Sequence, residues 1–357
     1  MLLANSMSSE GLRVKKTWWK TALQYGIGFA LLTYVVWSNW EPKESSGGLG
    51  LRDVFRPDRE KHWGWYVLAA LFASISVGLT FIRWYFLVRA QDLPFTLRDA
   101  FRLGLVGNFF NIFLPGSVGG DLVKAAFIAR EHERRTVAVS TVLIDRGVGL
   151  WGLIALPAVA GSLVWLSNPT LLREQPLLLR TVQAAFAIMA ATLVLWTILG
   201  VLPERRAQRF ARRLNWIPKA GPALAEFWRA VWLYRRRRLV ILGTLALSIV
   251  NHMINVLAVY CSAKTFQTAA PIPPFSAHLI FVPWGLAFRG LVPLPGGVGV
   301  GEAVLGGLYK LLGYPKDIGI LASLGQLVIN WTLGFSGYIA YLRMKRDVTK
   351  PNLPESA

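Results

Sequence analysis

Cysteine occurs once in 357 residues, at Cys261. That excludes an internal disulfide and every cysteine-rich metal centre. The four histidines (His62, His132, His252 and His278) are scattered, with no pair at ligand spacing, so no metal site is expected. No nucleotide-binding loop, zinc motif or nucleophile–base constellation occurs, so neither a catalytic residue nor a cofactor is expected. Acidic residues are scarce, 19 Asp and Glu against 39 Lys and Arg, a net charge of +20. The basic residues come in short blocks between apolar runs. Membrane topology accounts for that arrangement, and nucleic-acid binding is not expected.

Apolar residues are abundant, at 54%, with 15 Trp. Six apolar runs, near 21–40, 63–88, 137–166, 178–202, 239–261 and 318–342, reach the roughly 20 helical residues that a hydrocarbon core requires. The first continues to Trp40 without a small-residue cleavage site and reads as a retained signal anchor. Two further stretches, about 101–129 and 279–312, are interrupted by nearly the same phrase, LPGSVGGD at 114–121 and LPGGVGVGE at 294–302. The interruption leaves arms of roughly 13–15 residues. At about 1.5 Å per residue such an arm reaches only about 20 Å. These stretches read as re-entrant hairpins.

Charge supports that reading. With Arg13, Lys15, Lys16 and Lys20 on the cytoplasmic side, counting the hairpins as non-crossing places the other strong basic blocks there too. These include segment 204–238, with eleven Lys/Arg against Glu204 and Glu226, and the group Arg343, Lys345, Arg346 and Lys350. If either hairpin crossed fully, the pattern would invert. The expected fold is an all-α polytopic membrane protein with six full transmembrane helices plus two oppositely oriented re-entrant helical hairpins in an inverted repeat. Residues 1–20 form a basic N-terminal segment, 21–166 the first repeat, 178–342 the second, and 343–357 a tail. Both termini are expected to be cytoplasmic and the location to be the cell (inner) membrane.

Pro115 and Pro295 end the incoming arms, and the following glycines let the chain turn. Each outgoing arm then starts a helix whose N-terminal amides favour an anion. Asp121 and Glu302 stand at those ends. Either they cap the amides themselves, or they contact a polar headgroup or carry a proton. Lys124 pairs with Asp121 on one helix face or meets a phosphate. Asp145 and Arg146 lie deep in the third apolar run. Being adjacent, they project about 100° apart on a helix, so each needs a partner elsewhere. Arg146 is either a phosphate fork or half of an interhelical ion pair. Arg83 and Arg89 are expected to snorkel to the interface, whereas Arg289 lies deep in an incoming arm. Asn251, His252, Asn255, Gln326 and Asn330 are expected to make interhelical hydrogen bonds. In 204–217, Phe210, Leu214 and Ile217 oppose Arg205, Arg209, Arg212 and Arg213, the pattern of an interfacial helix on anionic leaflet lipid.

The segments RWYFLVRA (83–90), GNFFNIFLPGSVGGDLVKAAFIAR (107–130), VLIDRGVGL (142–150) and LPGGVGVGEAVL (294–305), in this order, resemble the flippase-like membrane family. That family includes the membrane half of bacterial lysylphosphatidylglycerol synthase, stand-alone inner-membrane proteins and archaeal relatives linked to lipid-borne glycosylation. The resemblance runs from about residue 20 to 343. It implies movement of a phospholipid or lipid-linked headgroup between leaflets, and as substrate-contacting positions it implies Asn108, Asn111, Pro115, Gly116, Gly119, Gly120, Asp121, Asp145, Arg146, Pro295, Gly296, Gly297, Gly299 and Glu302. Lys124 and Arg289 join them from the residue-level reading.

Three departures stand out. Gly301 occupies a place where Arg is usual, Gln326 and Asn330 occupy the region of a frequent last-span Arg, and Lys124 replaces a common Arg. The second half therefore carries less positive charge than its relatives. The bifunctional synthases continue into a soluble aminoacyl-transferase domain. This sequence ends soon after its last apolar run, so a stand-alone form is expected, with any such activity supplied by a partner synthase or transferase.

Three functions compete. The leading one is lipid translocation, without an ATPase motif and therefore downhill or coupled to an ion through the buried acids. The alternative is a lipid-binding or scaffold subunit for a separate enzyme. The third is a membrane-embedded transferase using Asp121 or Glu302 as general base.

Overall fold

The computed structural model describes residues 22–41, 51–54, 56, 61–114, 119–201, 203–217, 221–267, 271–292 and 294–349. Among them the regular structure is entirely helical. In chain order the helices are α1 (Ala22–Ser38), α2 (Leu51–Val54), α3 (Trp63–Arg89), α4 (Leu97–Phe113), α5 (Gly119–Glu131), α6 (Arg135–Ser167) and α7 (Pro169–Glu174). There follow α8 (Pro176–Val201), α9 (Glu204–Leu214), α10 (Gly221–Tyr234), α11 (Arg238–Thr265), α12 (Phe275–Leu291), α13 (Val300–Leu311) and α14 (Lys316–Thr349).

Five of these, α3, α6, α8, α11 and α14, are long and apolar enough to cross a membrane. The first expected span, α1, is apolar but shorter over the described residues. The weak amphipathicity of the long helices follows from their surroundings. A helix between lipid and protein needs an apolar surface all round, and large side chains such as Val67, Leu193, Trp196 and Leu242 stay exposed on their outer faces.

The two interrupted stretches each fold back on themselves. In the first, α4 opens with a capping box between Thr96 and Asp99 and ends at Leu114, whose extended backbone (ψ 143°) is what a following proline demands. The contacts Asn111 to Gly120, Gly107 to Lys124 and Arg102 to Glu131 run in opposite senses along α4 and α5, so the two arms are antiparallel. In the second, Arg289 meets Gly296, Gly285 faces Val304 and Leu308, and His278 meets Tyr309, again antiparallel. The four arms have 17, 13, 17 and 12 residues. None exceeds about 26 Å in length, short of a hydrocarbon core of about 30 Å.

The long helices brace both hairpins. α6 packs on α5 and on α12, and α14 packs on α13 and on α4, while α3 and α11 pack on each other. Exchanging α3 with α11, α4 with α12, α5 with α13 and α6 with α14 carries each of these packed pairs onto another. The second hairpin's turn, Pro295–Gly297, packs against the end of α4, with Gly296 beside the Ile112 carbonyl. Helix α1 closes over this junction, Gly28 and Leu31 lying against Val298 and Gly299.

The basic segment between α8 and α11 holds a helix at Glu204–Leu214, within the expected 204–217, and a second helix, α10, packed against it. Ala207 and Ala211 of α9 are buried against α10, the Trp228 indole N–H donates to the Ala207 carbonyl at 3.1 Å, and Phe210 meets Trp228 edge-on. The small alanine face, more than the Phe210–Leu214–Ile217 side, sets how the helix packs.

Candidate functional site

The deep charges of α6 find partners on two different helices, as adjacent positions on one helix require. Asp145 accepts from Arg83 Nε of α3 at 2.8 Å. Arg146 Nη1 donates to Asp121 Oδ2 of α5 at 2.8 Å. Arg83 also donates through Nη1 to Ser248 Oγ of α11 at 2.9 Å, so one guanidinium ties three helices together. Arg83 is 4% exposed. The snorkelling expected of it is therefore corrected: its acidic partner lies within reach inside the protein, which leaves no reason to seek water. Arg89 is exposed, as expected.

Asp121 is shared. Besides Arg146 it accepts from Lys124 Nζ at 3.3 Å. The Lys124 stem fits against Gly107, where an added Cβ would sit 2.6 Å from Cδ, and its ammonium lies 4.6 Å over the Trp84 ring. Trp84 is in turn fixed by its indole N–H to Thr141 Oγ1 at 3.3 Å. Asn111 Oδ1 accepts from the Gly120 amide at 2.8 Å, which caps the start of α5 from the opposite arm. The oxygens of Asp121 thus face two cations.

These groups line a cavity of about 280 Å³ between α3, α4, α5, α6 and α11. Its polar wall carries Asn108, Asn111, Asp121, Lys124, Arg146 and His252. Arg83 and Asp145 line it as well. Three cations against two carboxylates leave one net positive charge in a low-dielectric setting, where an incoming anion is attracted strongly.

The second hairpin is built differently. Gly296, Gly297 and Gly299 have φ of 60°, 66° and 83°, so the turn requires residues without a Cβ. Glu302 is fully buried and accepts from the Gly299 amide at 2.7 Å and from Ser323 Oγ at 3.1 Å. Here the capping alternative holds: Glu302 closes the N-terminus of its own helix, at the spacing of half a capping box. Arg289 Nη2 donates to the Gly296 carbonyl at 2.7 Å. It also runs along Gly301, where an added Cβ would lie 3.2 Å from its Cδ. The arm of Arg289 from α12 thus occupies the space beside position 301, where the resembled pattern has an arginine. A cavity of about 70 Å³ lies beside it, lined by Asn255, Arg289, Ser323, Gln326 and Asn330. That is room for about two waters.

A polar seam joins the two cavities. Asn251, on the wall of the first, donates to Thr80 Oγ1 at 3.2 Å and accepts from Ser76 Oγ at 2.9 Å. Ser76 in turn accepts from Asn255 of the second cavity at 3.4 Å. His252, near the seam, bonds the Gly149 carbonyl at 2.9 Å, and Gln326 donates to the Ala258 carbonyl.

Of the residues expected at the site, the structure gathers Asn108, Asn111, Gly120, Asp121, Lys124, Asp145 and Arg146 around the first cavity. Gly119 is buried at the start of α5 against Leu114. Pro295, Gly296, Gly297, Gly299, Glu302 and Arg289 belong to the second hairpin. Pro115 and Gly116 lie outside the described residues. Sequence reasoning missed Trp84, Ser248, Thr80, Ser76 and Ser323. Serine and threonine facing one another across helices give no periodic signal. Gly107, four residues before Asn111, was the one visible hint of a close approach.

Comparison with curated proteins and with solved structures returns no match. Residues 23–337, which include both hairpins and both cavities, match the family described as Lysylphosphatidylglycerol synthase TM region. The helices of spanning length, the buried charges gathered between them and this match lead to one conclusion: the chain belongs to the Lysylphosphatidylglycerol synthase TM region family, and it is a multi-pass membrane protein whose function concerns membrane lipid.

Proposed function

We propose that the protein translocates a phospholipid or lipid-linked headgroup between leaflets, without catalysing a covalent step. One observation carries this reading. The charged cavity of the first hairpin and the polar pocket of the second are joined by Asn251, Ser76 and Asn255. A phosphate entering the first cavity would meet Lys124, Arg146 and the amide end of α5, and could exchange along neutral hydrogen-bonding groups toward Arg289. The acyl chains would stay in lipid. Neutral groups suit this passage, because a charged seam would hold the headgroup rather than pass it.

The topology that this reading needs has six crossings, α1, α3, α6, α8, α11 and α14, and two re-entrant hairpins entering from opposite faces as an inverted repeat. The exchange of packed pairs between the two halves supports the repeat. The arm lengths and the placement of the basic blocks support the inversion, with both termini cytoplasmic in the cell membrane. The difference between a cavity of about 280 Å³ and one of about 70 Å³ fits a conformation open on the first hairpin's side and nearly shut on the other.

The test is translocation of headgroup-labelled phospholipid in proteoliposomes, read by chemical quenching of the outer leaflet. Wild type is expected to equilibrate label between leaflets, and Asp121→Asn to lose most of that activity while still folding. Leaflet exchange no faster than in protein-free vesicles, across anionic, zwitterionic and sugar-bearing lipids, would overturn the proposal.

A further inference from the structure

Outside the hairpins, a large concavity lies under the basic helical pair. It is a recess of about 650 Å³ with α6 as its floor at Trp151. Phe186, Met189 and Leu193 of α8 form one wall, and Ile241 and Leu245 of α11 the other. Helix α10 roofs it with Trp228, Val231 and Trp232. Apart from Arg238 at its rim, the lining is almost wholly apolar or aromatic. Its size falls within the roughly 300–1,000 Å³ of small-molecule pockets.

A second, polar groove adjoins it. Glu204, Arg212, Arg229 and Arg236 line that groove, and Trp228 and Trp232 are common to both cavities. These two tryptophans, one turn apart on α10, stack at 6.4 Å with their planes 25° from parallel, so they separate an oily chamber from a basic one. Arg236 is paired with Glu204 at 3.2 Å. Arg212, Arg229 and Arg238 make no ion pair with any described residue. Four arginines and one carboxylate, Glu204, thus line the two cavities.

The roof is fixed in place. Tyr234 is buried and donates its hydroxyl to the Leu87 carbonyl at 2.8 Å, and Arg237 pairs with Asp92 at 2.9 Å, both at the end of α3. These two contacts tie the roof of the recess to the end of α3.

We infer that this composite is a binding site for an anionic phospholipid of the adjoining leaflet. One acyl chain occupies the recess of α6, α8, α10 and α11, and the phosphate-bearing headgroup sits on Arg212, Arg229 and Arg238. Charge complementarity and the adjacency of an apolar chamber to a cationic rim select this occupant. A peptide would leave the recess's missing polar partners unmet, and a neutral lipid would leave three unpaired arginines without a counter-charge. The site is separate from the hairpin cavities and shares no lining residue with them. The inference requires only that the protein lies in a membrane, so it stands or falls apart from the translocation proposal.

The experiment is native mass spectrometry of protein exchanged into nanodiscs of phosphatidylcholine with or without phosphatidylglycerol. Four proteins are compared: wild type, Ala190→Trp, Arg229→Glu/Arg238→Glu and Asp121→Asn. Ala190 is an exposed residue of the recess wall, and Arg229 and Arg238 are exposed and make no ion pair with a described residue, so these variants are expected to fold, with circular dichroism and thermal unfolding as the check. The expected result is a one-lipid adduct selective for phosphatidylglycerol in wild type and in Asp121→Asn. It is lost on filling the recess and lost on reversing the charges. An adduct unselective for headgroup, one that survives Ala190→Trp, or one that disappears in Asp121→Asn alone would overturn the inference. The last outcome would assign the bound lipid to the hairpin cavity.

Discussion

Arg83 and Asp145, 62 residues apart in sequence, form an ion pair of 2.8 Å with side chains only 5% and 6% exposed. Burying both charges costs several kcal/mol per ion, and the pair is tolerable because Ser248 takes a second guanidinium hydrogen. Removing one partner leaves the other charge buried and alone. Arg83→Ala is therefore expected to destabilise by about 3–5 kcal/mol, and Asp145→Ala similarly. The double variant Arg83→Met/Asp145→Leu should recover most of the loss. Thermal unfolding in one detergent reads this directly. Additive losses in the double variant would show that the pair is not the source of the effect.

Among the described residues the two acids that open the outgoing arms have different partners, and one substitution at each tests them. Glu302 accepts from the Gly299 amide and Ser323. Glu302→Ala strands both donors and should cost about 1–3 kcal/mol, while Glu302→Gln keeps a carbonyl acceptor and should fold nearly as well as wild type. Asp121 instead balances Arg146 and Lys124. Asp121→Asn should leave thermal stability little changed but alter lipid translocation strongly. Equal stability losses at both positions would assign Asp121 a structural role as well.

The apolar runs made the long helices legible, and the paired Pro–Gly interruptions made both hairpins legible. Helix breaking is local, and its signal is written in the broken residues. Glu302 as a cap was one of two readings the sequence left open, and its bond from the Gly299 amide decides between them. The burial of Arg83 was not readable. Whether an arginine near a helix end snorkels depends on what stands opposite it, and Asp145 comes from another helix. The pairing of α9 with α10 was obscured for a related reason. Its contact face is Ala207 and Ala211, too small to stand out in a hydrophobic pattern dominated by Phe210, Leu214 and Ile217. The polar seam of Ser76, Asn251 and Asn255 exists only when α3 lies against α11, a relation that no single-helix period encodes.

The approach of α5 to α4 depends on two glycines facing each other. A Cβ on Gly120 would fall on the Gly107 carbonyl, which is backbone and cannot swing aside. Gly120→Ala should therefore push the arms apart and stretch the Asn111 bond to the Gly120 amide. The expected outcome is a loss of about 1–3 kcal/mol from overpacking, with reduced translocation. Gly107→Ala should be milder, since its nearest neighbour is the Lys124 stem, which can move. Comparing melting temperatures of the two single variants checks the order. If Gly107→Ala were the more damaging, the backbone-contact argument would fail.

At Gly301 the chain departs from the sequence pattern it resembles, and the structure gives the departure a reason. A Cβ there would lie 3.0 Å from Ser323 Oγ and 3.2 Å from Arg289 Cδ, so a long side chain and Arg289 cannot occupy the space together. Restoring the usual arginine should therefore be harmful in this background: Gly301→Arg is expected to lower thermal stability and translocation through both crowding and the approach of two cations. The crowding is relieved if Arg289 is shortened. In Gly301→Arg/Arg289→Ala the new guanidinium inherits the cavity beside Ser323, Gln326 and Asn330, and stability should rise above that of Gly301→Arg alone. A coupling of this sign, measured as a double-mutant cycle in melting temperature and in translocation rate, is the signature of one cation filling one place from either arm of the hairpin. Strict additivity would mean that Arg289 and the residue at 301 act independently, and the substitution of one charge for the other would then be ruled out.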